Sequence, residues 1–333
     1  MRIIFTVLML CITASFAFAN EWISPIDKKY KAKNIELYNN FDRARALLDS
    51  WRGQGQRLDE AGNILQHILE KDSNYAPAYR ELGRLYIMAG HINYDNFERG
   101  SLPPSEFAIL KSIEIEPEYA DSYVLLGHLY TQMKRYKDAE NSLKKAEAIG
   151  TEIPWLHLNW AGLLEQYGRY QEAMQRYQYV VEKGTNNRKA YASALAGITT
   201  MYRKMRQYDK ANESFKKEIE YEPDNAWSWG DYSSFLLFTY NDVDGAIKNG
   251  REAINIMNYG MGRFTLGCAL YTKWAMLKDN PATALLAQQY FDEARAIYPY
   301  PEKVIEKTSG YKYTFITAKE LQKWLTSQSA RTQ

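Results

Sequence analysis

A short pattern of residues recurs along this chain at a nearly constant spacing. Its clearest copy is residues 123–130, which read YVLLGHLY, followed at 135–139 by RYKDA. A small residue precedes an alanine by twelve positions in three copies, at Gly127 and Ala139, Ala161 and Ala173, and Thr199 and Ala211. The successive alanines are 34 and 38 residues apart. Because a unit of this length cannot bury its apolar face alone, the period predicts a stack of similar units.

The pattern resembles that of the tetratricopeptide repeat (TPR) family, W-x2-L-G-x2-Y, then A-x3-F, then P, with a period of about 34 residues. Residues 79–86, YRELGRLY, match the first half of another copy with tyrosine in the tryptophan slot. A further copy begins at Trp229, and the last contains Gly267 and ends at Pro299. The resemblance implies a right-handed superhelix of about seven helix pairs, at residues 35–73, 76–117, 120–151, 154–187, 192–223, 226–257 and 260–299.

The copies have the apolar spacing of two amphipathic helices, with apolar residues at i, i+3, i+4 and i+7. Gly127 or Ala161 would let the two helices of a pair approach closely. Pro117, Pro223 and Pro299 would end second helices, since proline cannot continue the helical hydrogen-bond ladder. Only 19 glycines and 10 prolines occur among 333 residues, which also favours helices. We therefore predict an all-α solenoid and expect most of the 27 tyrosines to pack in its core.

Two copies depart from the twelve-residue step. In the second copy, extra residues near 91–104 precede Ser105, the predicted start of the second helix. In the last copy, extra residues at 273–281 precede Ala287 on the second helix. Insertions within repeats usually form loops on one face, and that face often binds partners. Lengthened first helices are the alternative, and we favour this alternative for residues 273–278.

The N-terminal residues do not follow the repeat. Residues 1–19 combine Arg2, an apolar run and the ending Ala17-Phe18-Ala19, which are the parts of a secretory signal peptide. The apolar run is shorter than a membrane-spanning helix requires. We therefore predict export with cleavage after Ala19, no integral membrane segment after cleavage, and a separate N-terminal segment at residues 20–34.

The C-terminal residues also leave the repeat. We expect residues 300–333 to form a short cap with a polar outer face, because an array of stacked units needs such a cover at its end. Within this cap, residues 311–316 alternate as a short strand would, and residues 318–325 have the pattern of a final helix.

The sequence carries no pattern typical of an enzyme or a metal site. The four histidines lack metal-ligand spacing, and no G-x-S-x-G, H-E-x-x-H, Walker or dinucleotide-binding pattern is present. With Cys11 inside the predicted signal, Cys268 is a single thiol, which we expect to be small and at least half-buried. Asp242 is expected to cap a helix that begins near Val243. We predict a non-enzymatic protein with no catalytic residue, no metal and no cofactor.

The charges of the chain nearly cancel. Lys and Arg number 42 and Asp and Glu number 40, for a formal net charge of +2. A chain this neutral has no overall attraction to nucleic acid or to an anionic membrane surface. Small basic patches lie at residues 28–33 and 203–206, and patches of this size are usually solvated helix ends. We therefore expect no nucleic-acid partner.

The TPR resemblance implies that the first helices line a concave groove that binds partner polypeptides. Carried over slot by slot, the groove-facing residues would be Arg80, Arg84, Val124, His128, Trp155, Leu158, Ser193, Arg203, Lys204, Trp227, Phe238, Phe264 and Tyr271. Chaperone-binding members of the family use Lys and Asn to clamp a partner's C-terminal carboxylate. The corresponding slots here hold Val124 with His128, and Leu158 with Gly162, so the sequence argues against that activity.

The leading hypothesis is an interaction scaffold that binds a protein or peptide partner in this groove. By analogy with exported members of the family, we place it in the bacterial cell envelope, in the periplasm, with secretion as the alternative. The second hypothesis is an enzyme, or a carbohydrate-binding or envelope-polysaccharide-associated protein, that acts on sugars. In that case Trp155, Trp227, Trp229 and Trp274 would be exposed platforms for sugar rings.

Overall fold

The computed structural model describes residues 22–91 and 98–300, and over these residues the chain forms fifteen α-helices and no strand. The helices are α1 (Pro25–Lys33), α2 (Ile35–Asp49), α3 (Gly55–Lys71), α4 (Ala76–Ala89), α5 (Leu102–Ile115), α6 (Ala120–Gln132), α7 (Tyr136–Ile149), α8 (Pro154–Gln166), α9 (Tyr170–Lys183), α10 (Arg188–Lys204), α11 (Tyr208–Tyr221), α12 (Ala226–Phe235), α13 (Val243–Ile256), α14 (Gly260–Leu277) and α15 (Ala284–Ile297). A 3₁₀ turn, Arg99–Ser101, precedes α5, and a π-helical turn, Leu236–Tyr240, follows α12. The predicted signal peptide at 1–19 and the predicted strand and helix of the cap lie outside the described residues.

Fourteen of these helices pack as seven successive pairs. The pairs are α2 with α3, α4 with α5, α6 with α7, α8 with α9, α10 with α11, α12 with α13, and α14 with α15. We number these pairs as copies one to seven. The remaining helix, α1, packs against α2 at the start of the array. The predicted all-α solenoid of about seven helix pairs is therefore confirmed.

The first helices form the inner layer of a curved array. Besides their own partners, α2 contacts α4, α4 contacts α6, α6 contacts α8, α8 contacts α10, and α12 contacts α14. Among the described residues, second helices make no comparably extensive contact with one another. Because the first helices lie closer together than the second helices do, the array curves with its first helices on the concave side.

Close packing within a pair depends on a small residue in the first helix. A Cβ atom added to Gly127 would lie 2.7 Å from Cδ2 of Leu143 in α7, closer than two carbon atoms can approach without a shift. Ala161 in α8 is likewise completely buried. The predicted close approach of the paired helices is therefore confirmed at both positions.

Several helices begin and end where the sequence predicted. Helices α5, α11 and α15 end two residues before Pro117, Pro223 and Pro299, respectively. Asp242 caps α13 as predicted, because its Oδ1 accepts a hydrogen bond of 2.9 Å from the backbone N–H of Gly245. Proline and a capping carboxylate thus stop and start these helices for the reasons read from the sequence.

The two irregular copies differ in how they accommodate their extra residues. Helix α14 continues through Leu277, so the segment 273–278 lengthens the first helix, as we favoured. Helix α5 begins at Leu102 rather than at Ser105. Pro103 and Pro104 fit in its first turn because backbone N–H groups there have no partner within the helix. Residues 92–97 of the insertion lie outside the described part of the chain.

Tyrosines divide between the core and the surface. Tyr75, Tyr119 and Tyr271 are among the largest fully buried side chains of the molecule. In contrast, Tyr167 and Tyr208 each remain 41% exposed. Half-buried tyrosines are as common as fully buried ones, because a thin curved array has a large surface relative to its core.

A buried charged cluster ties α1 to the copies beside it. Tyr119 Oη donates a 2.5 Å hydrogen bond to Oδ1 of Asp27 in α1. Arg80 in α4 forms ion pairs with Glu81, at 2.6 Å, and with Asp121 in α6, at 3.2 Å. All five side chains are buried. Burial of charges is tolerated here because each charged group meets a partner.

Candidate binding groove

Three of the predicted groove residues are exposed on first helices. Trp227 lies in the first turn of α12 and is 39% exposed, and its ring centroid lies 4.4 Å from that of Tyr259. Arg203 and Lys204 are exposed in the last turn of α10. The Arg203 guanidinium lies 5.9 Å from the ring centroid of Phe215. The concave layer therefore presents one aromatic and two cationic side chains to solvent.

A second set of predicted groove residues is half-buried. It comprises Arg84, His128, Trp155, Ser193, Phe238 and Phe264. Burial, together with the nearby His91, lowers the pKa of His128 to about 4, so this imidazole is neutral at pH 7. These side chains expose a smaller fraction of their surface than the first set does.

Four predicted groove residues are buried between helices, and their assignment to the exposed surface is wrong. Val124, Leu158 and Tyr271 belong to hydrophobic clusters and are at most 6% exposed. Arg80 is held in the buried cluster with Asp121 of α6. The physical reason is the contact between neighbouring first helices, which covers the side chains that point along the array rather than into the groove.

Two carboxylates belong to the same surface although the sequence analysis did not select them. Glu165 in α8 is half-buried and Asp231 in α12 is exposed. Burial raises the pKa of Glu165, and the charge of Lys204 opposes this rise. The charge of Arg203 acts to lower the pKa of Asp231. Arg203 and Lys204 therefore each lie near a carboxylate of an adjacent copy. We had interpreted the scattered acidic residues as solvated faces, and sequence spacing gave no signal to separate these two from the rest.

A contact across the superhelix was also not predicted. The loop between α2 and α3 carries Trp51 and Arg52. Lys189 Nζ in α10 lies 5.7 Å from the Trp51 ring centroid. Arg52 Nη2 lies 3.2 Å from Oε1 of Glu222, a residue 170 positions away that is only 5% exposed. The first copy of the array thus touches the junction of the fifth and sixth copies.

The four tryptophans proposed as sugar platforms do not form one surface. Trp274 is 1% exposed and packs 5.2 Å from Phe291, so its assignment as an exposed platform is wrong. The indole N–H of Trp229 donates to the carbonyl of Pro223 at 2.9 Å, and the side chain is half-buried. Trp155 is half-buried as well. Trp227, at 39% exposed, is the most exposed member of this set.

Within residues 22–91 and 98–300, no three His, Cys, Asp or Glu side chains come together in an arrangement that could hold a metal ion. Cys268 is buried, with 1% of its surface exposed, as expected for a core thiol. In the same part of the chain, none of the helices combines the length and the apolar character needed to cross a bilayer.

Sequence comparison finds partial relatives, and no family model matches the chain. The chain is 25% identical over 142 residues to the type IV pilus assembly protein PilF of Pseudomonas aeruginosa, which covers 43% of this chain and 52% of PilF. It is 33% identical over 98 residues to a pentatricopeptide repeat-containing protein of Arabidopsis thaliana, which covers 29% of this chain and 13% of the plant protein. The chain therefore spans about half the length of PilF and a small part of the plant protein.

Structure comparison supports the fold over a longer stretch. The APC/C hetero-tetramer Cut9–Hcn1 contains a chain that matches this one with a TM-score of 0.52 and 18% sequence identity. The match covers 74% of this chain and 45% of that chain. The twelve-residue step, the seven helix pairs and their curved stacking lead to the same conclusion. The chain therefore has the fold of a tetratricopeptide-repeat solenoid.

Proposed function

We propose that this protein is a non-enzymatic scaffold of the bacterial cell envelope that binds a partner polypeptide in its concave groove. The observation that carries the proposal is the curved inner layer of first helices, which exposes Trp227, Arg203 and Lys204. Tryptophan and arginine are enriched among the residues that dominate the binding energy of protein interfaces. The acidic partners Glu165 and Asp231 give the surface both signs of charge, which suits a polypeptide with mixed side chains.

Two observations support the envelope setting. Residues 1–19 have the composition of a signal peptide. The partial similarity to PilF, a protein named for type IV pilus assembly, favours the same setting. The non-enzymatic part of the proposal is supported by the sequence, which holds none of the nucleophile, phosphate-loop or metal-ligand patterns typical of enzymes.

The test compares Trp227→Ala with Lys216→Ala. Lys216 is exposed on α11, a second helix, where it pairs with Glu213 at 2.8 Å. The partner is captured by crosslinking from the envelope fraction of a producing bacterium, and its affinity for each variant is measured by titration calorimetry. We expect Trp227→Ala to weaken binding about 30-fold, equivalent to about 2 kcal/mol, because a partly exposed indole would serve as an anchor.

Lys216→Ala should change the affinity less than twofold, because it lies on the outer layer. Both variants must keep the wild-type melting temperature, since Trp227 also contacts Tyr259. Equal affinities of the two variants for the captured partner would contradict the groove assignment. Saturable binding of a glycan, with no polypeptide captured, would favour the carbohydrate hypothesis instead.

A further inference from the structure

The contact between copy one and the junction of copies five and six closes part of the superhelix on itself. Copies two, three and four lie between the two sides of the contact along the array. Arg84 of α4 and Arg52 of the copy-one loop both lie close enough to Lys189 to affect its pKa. Charged side chains of copies one, two and five therefore lie close to one another.

We propose that the loop of residues 50–54 is a strap that closes copies one to five into a ring, and that this strap can release to open the ring. Two contacts hold the strap. One is the Lys189 ammonium against the Trp51 ring, and the other is the ion pair of Arg52 with Glu222. The Arg52 side chain is 42% exposed, so dissolved salt weakens its ion pair.

The ion pair can open without leaving a buried charge unpaired. When Arg52 moves away, Oε2 of Glu222 still accepts a 3.3 Å hydrogen bond from Asn225, and Nε of Arg188 remains 3.9 Å from Oε1. Arg52 also keeps a local partner, because its Nη1 donates to the carbonyl of Trp51 at 3.1 Å. Arg52 and Glu222 therefore each have a polar partner in both the closed and the open state, which favours an element with two accessible positions.

The half-buried positive charge of Lys189 opposes closure of the strap. In the closed state, burial and the positive charges of Arg84 and Arg52 lower the pKa of its ammonium, while Asp49 and Glu222 act in the opposite direction. Moving the strap away would expose Lys189 to water and remove the charge of Arg52 from its vicinity. The cation–ring contact with Trp51 acts in the other direction, so the two states are balanced by terms of opposite sign.

The experiment measures the distance between copies one and five by double electron–electron resonance. Spin labels are attached at Asn63→Cys in α3 and Lys217→Cys in α11, which are both exposed, in the full chain with Cys11→Ser. Cys268 is 1% exposed and will not react. We expect a dominant short-distance population and a minor long-distance population for the parent chain, and at least a threefold larger long-distance fraction for Trp51→Ala/Arg52→Ala. High salt should increase the long-distance fraction of the parent chain.

The matched control is Arg251→Ala/Glu293→Gln, which breaks a 2.6 Å ion pair between copies six and seven and should leave the distance distribution unchanged.

An unchanged distribution in a folded Trp51→Ala/Arg52→Ala chain would overturn the proposal. If that double variant loses helical circular dichroism, the single variant Arg52→Ala is decisive, because it leaves Trp51 in place and removes a side chain that is 42% exposed. Its effect should disappear in a Glu222→Gln background, and additive effects of these two substitutions would also overturn the proposal. The measurement uses no partner, so its failure is distinct from a failure of the groove assignment.

Discussion

At the scale of single residues, the ammonium of Lys189 lies where burial and nearby cations disfavour its positive charge. It lies half-buried in the first turn of α10, on the concave side of the array. Burial, and then the charges of Arg84 and Arg52, lower its pKa from 10.5 to about 8. Because the folded-state pKa lies below that of the unfolded chain, the folded state is destabilised at neutral pH. The destabilisation decreases as the pH rises from about 8 to 10.5.

Replacing this ammonium by a thioether should therefore stabilise the protein at pH 7. We expect Lys189→Met to raise the free energy of unfolding by about 1–2 kcal/mol at pH 7, discounted from the full shift because the side chain is partly solvated. The gain should be clearly smaller at pH 9.5. Urea titrations at both pH values measure it, with Lys217→Met, exposed on α11, as the control that should show no gain. A loss of stability at pH 7 would show that the contact with Trp51 outweighs the desolvation.

Of the groove residues chosen by their positions in the repeat, some are exposed in the structure and others are buried. Trp227 and Arg203 were selected by their positions in the repeat, and both are exposed in the structure. Val124 and Tyr271 occupy comparable slots but are buried, since coverage depends on how closely the next first helix approaches. Nothing in the sequence marked Lys189 as a residue with an unusual environment. Its environment is created by residues of the first copy, and a contact between such distant copies is not encoded in local spacing.

At the scale of helices, the sequence predicted the architecture well because each signal acts locally. The twelve-residue step predicts where the two helices of one pair contact each other, and proline predicts where a second helix ends. The start of α5 was misplaced by three residues, from Ser105 to Leu102, because we treated Pro103 and Pro104 as loop residues. Proline in a first helical turn has the same appearance in sequence as proline in a loop.

Two helical glycines provide a matched test of this pairing. A methyl group at Gly127 would lie 2.7 Å from the Leu143 side chain, whereas one at Gly162 in α8 would meet no atom within 4 Å. We expect Gly127→Ala to cost about 1–3 kcal/mol through overpacking. Gly162→Ala should stabilise the fold by about 0.5–1 kcal/mol, because alanine is the better helix former. Thermal and urea unfolding measure both, and equal effects would contradict the packing described for copy three.

At the scale of the whole molecule, the array departs from a simple stack. In a stack each copy contacts only its neighbours, so a local perturbation decreases in size from one copy to the next. The contact of Arg52 with Glu222 adds a second path, which connects copy one directly to the junction of copies five and six. This path makes the first five copies a ring, and copies six and seven extend beyond it.

The second path predicts an unusual pattern of hydrogen exchange. Glu222→Gln should raise amide exchange near its own position and again at residues 48–58 of copy one, with smaller changes in copies two to four between them. The reason is that the weakened ion pair frees the copy-one loop directly. Glu293→Gln, which breaks the pair with Arg251, should affect only copies six and seven. Exchange measured by mass spectrometry that declines steadily from copy five to copy one would show that neighbour contacts alone transmit the perturbation.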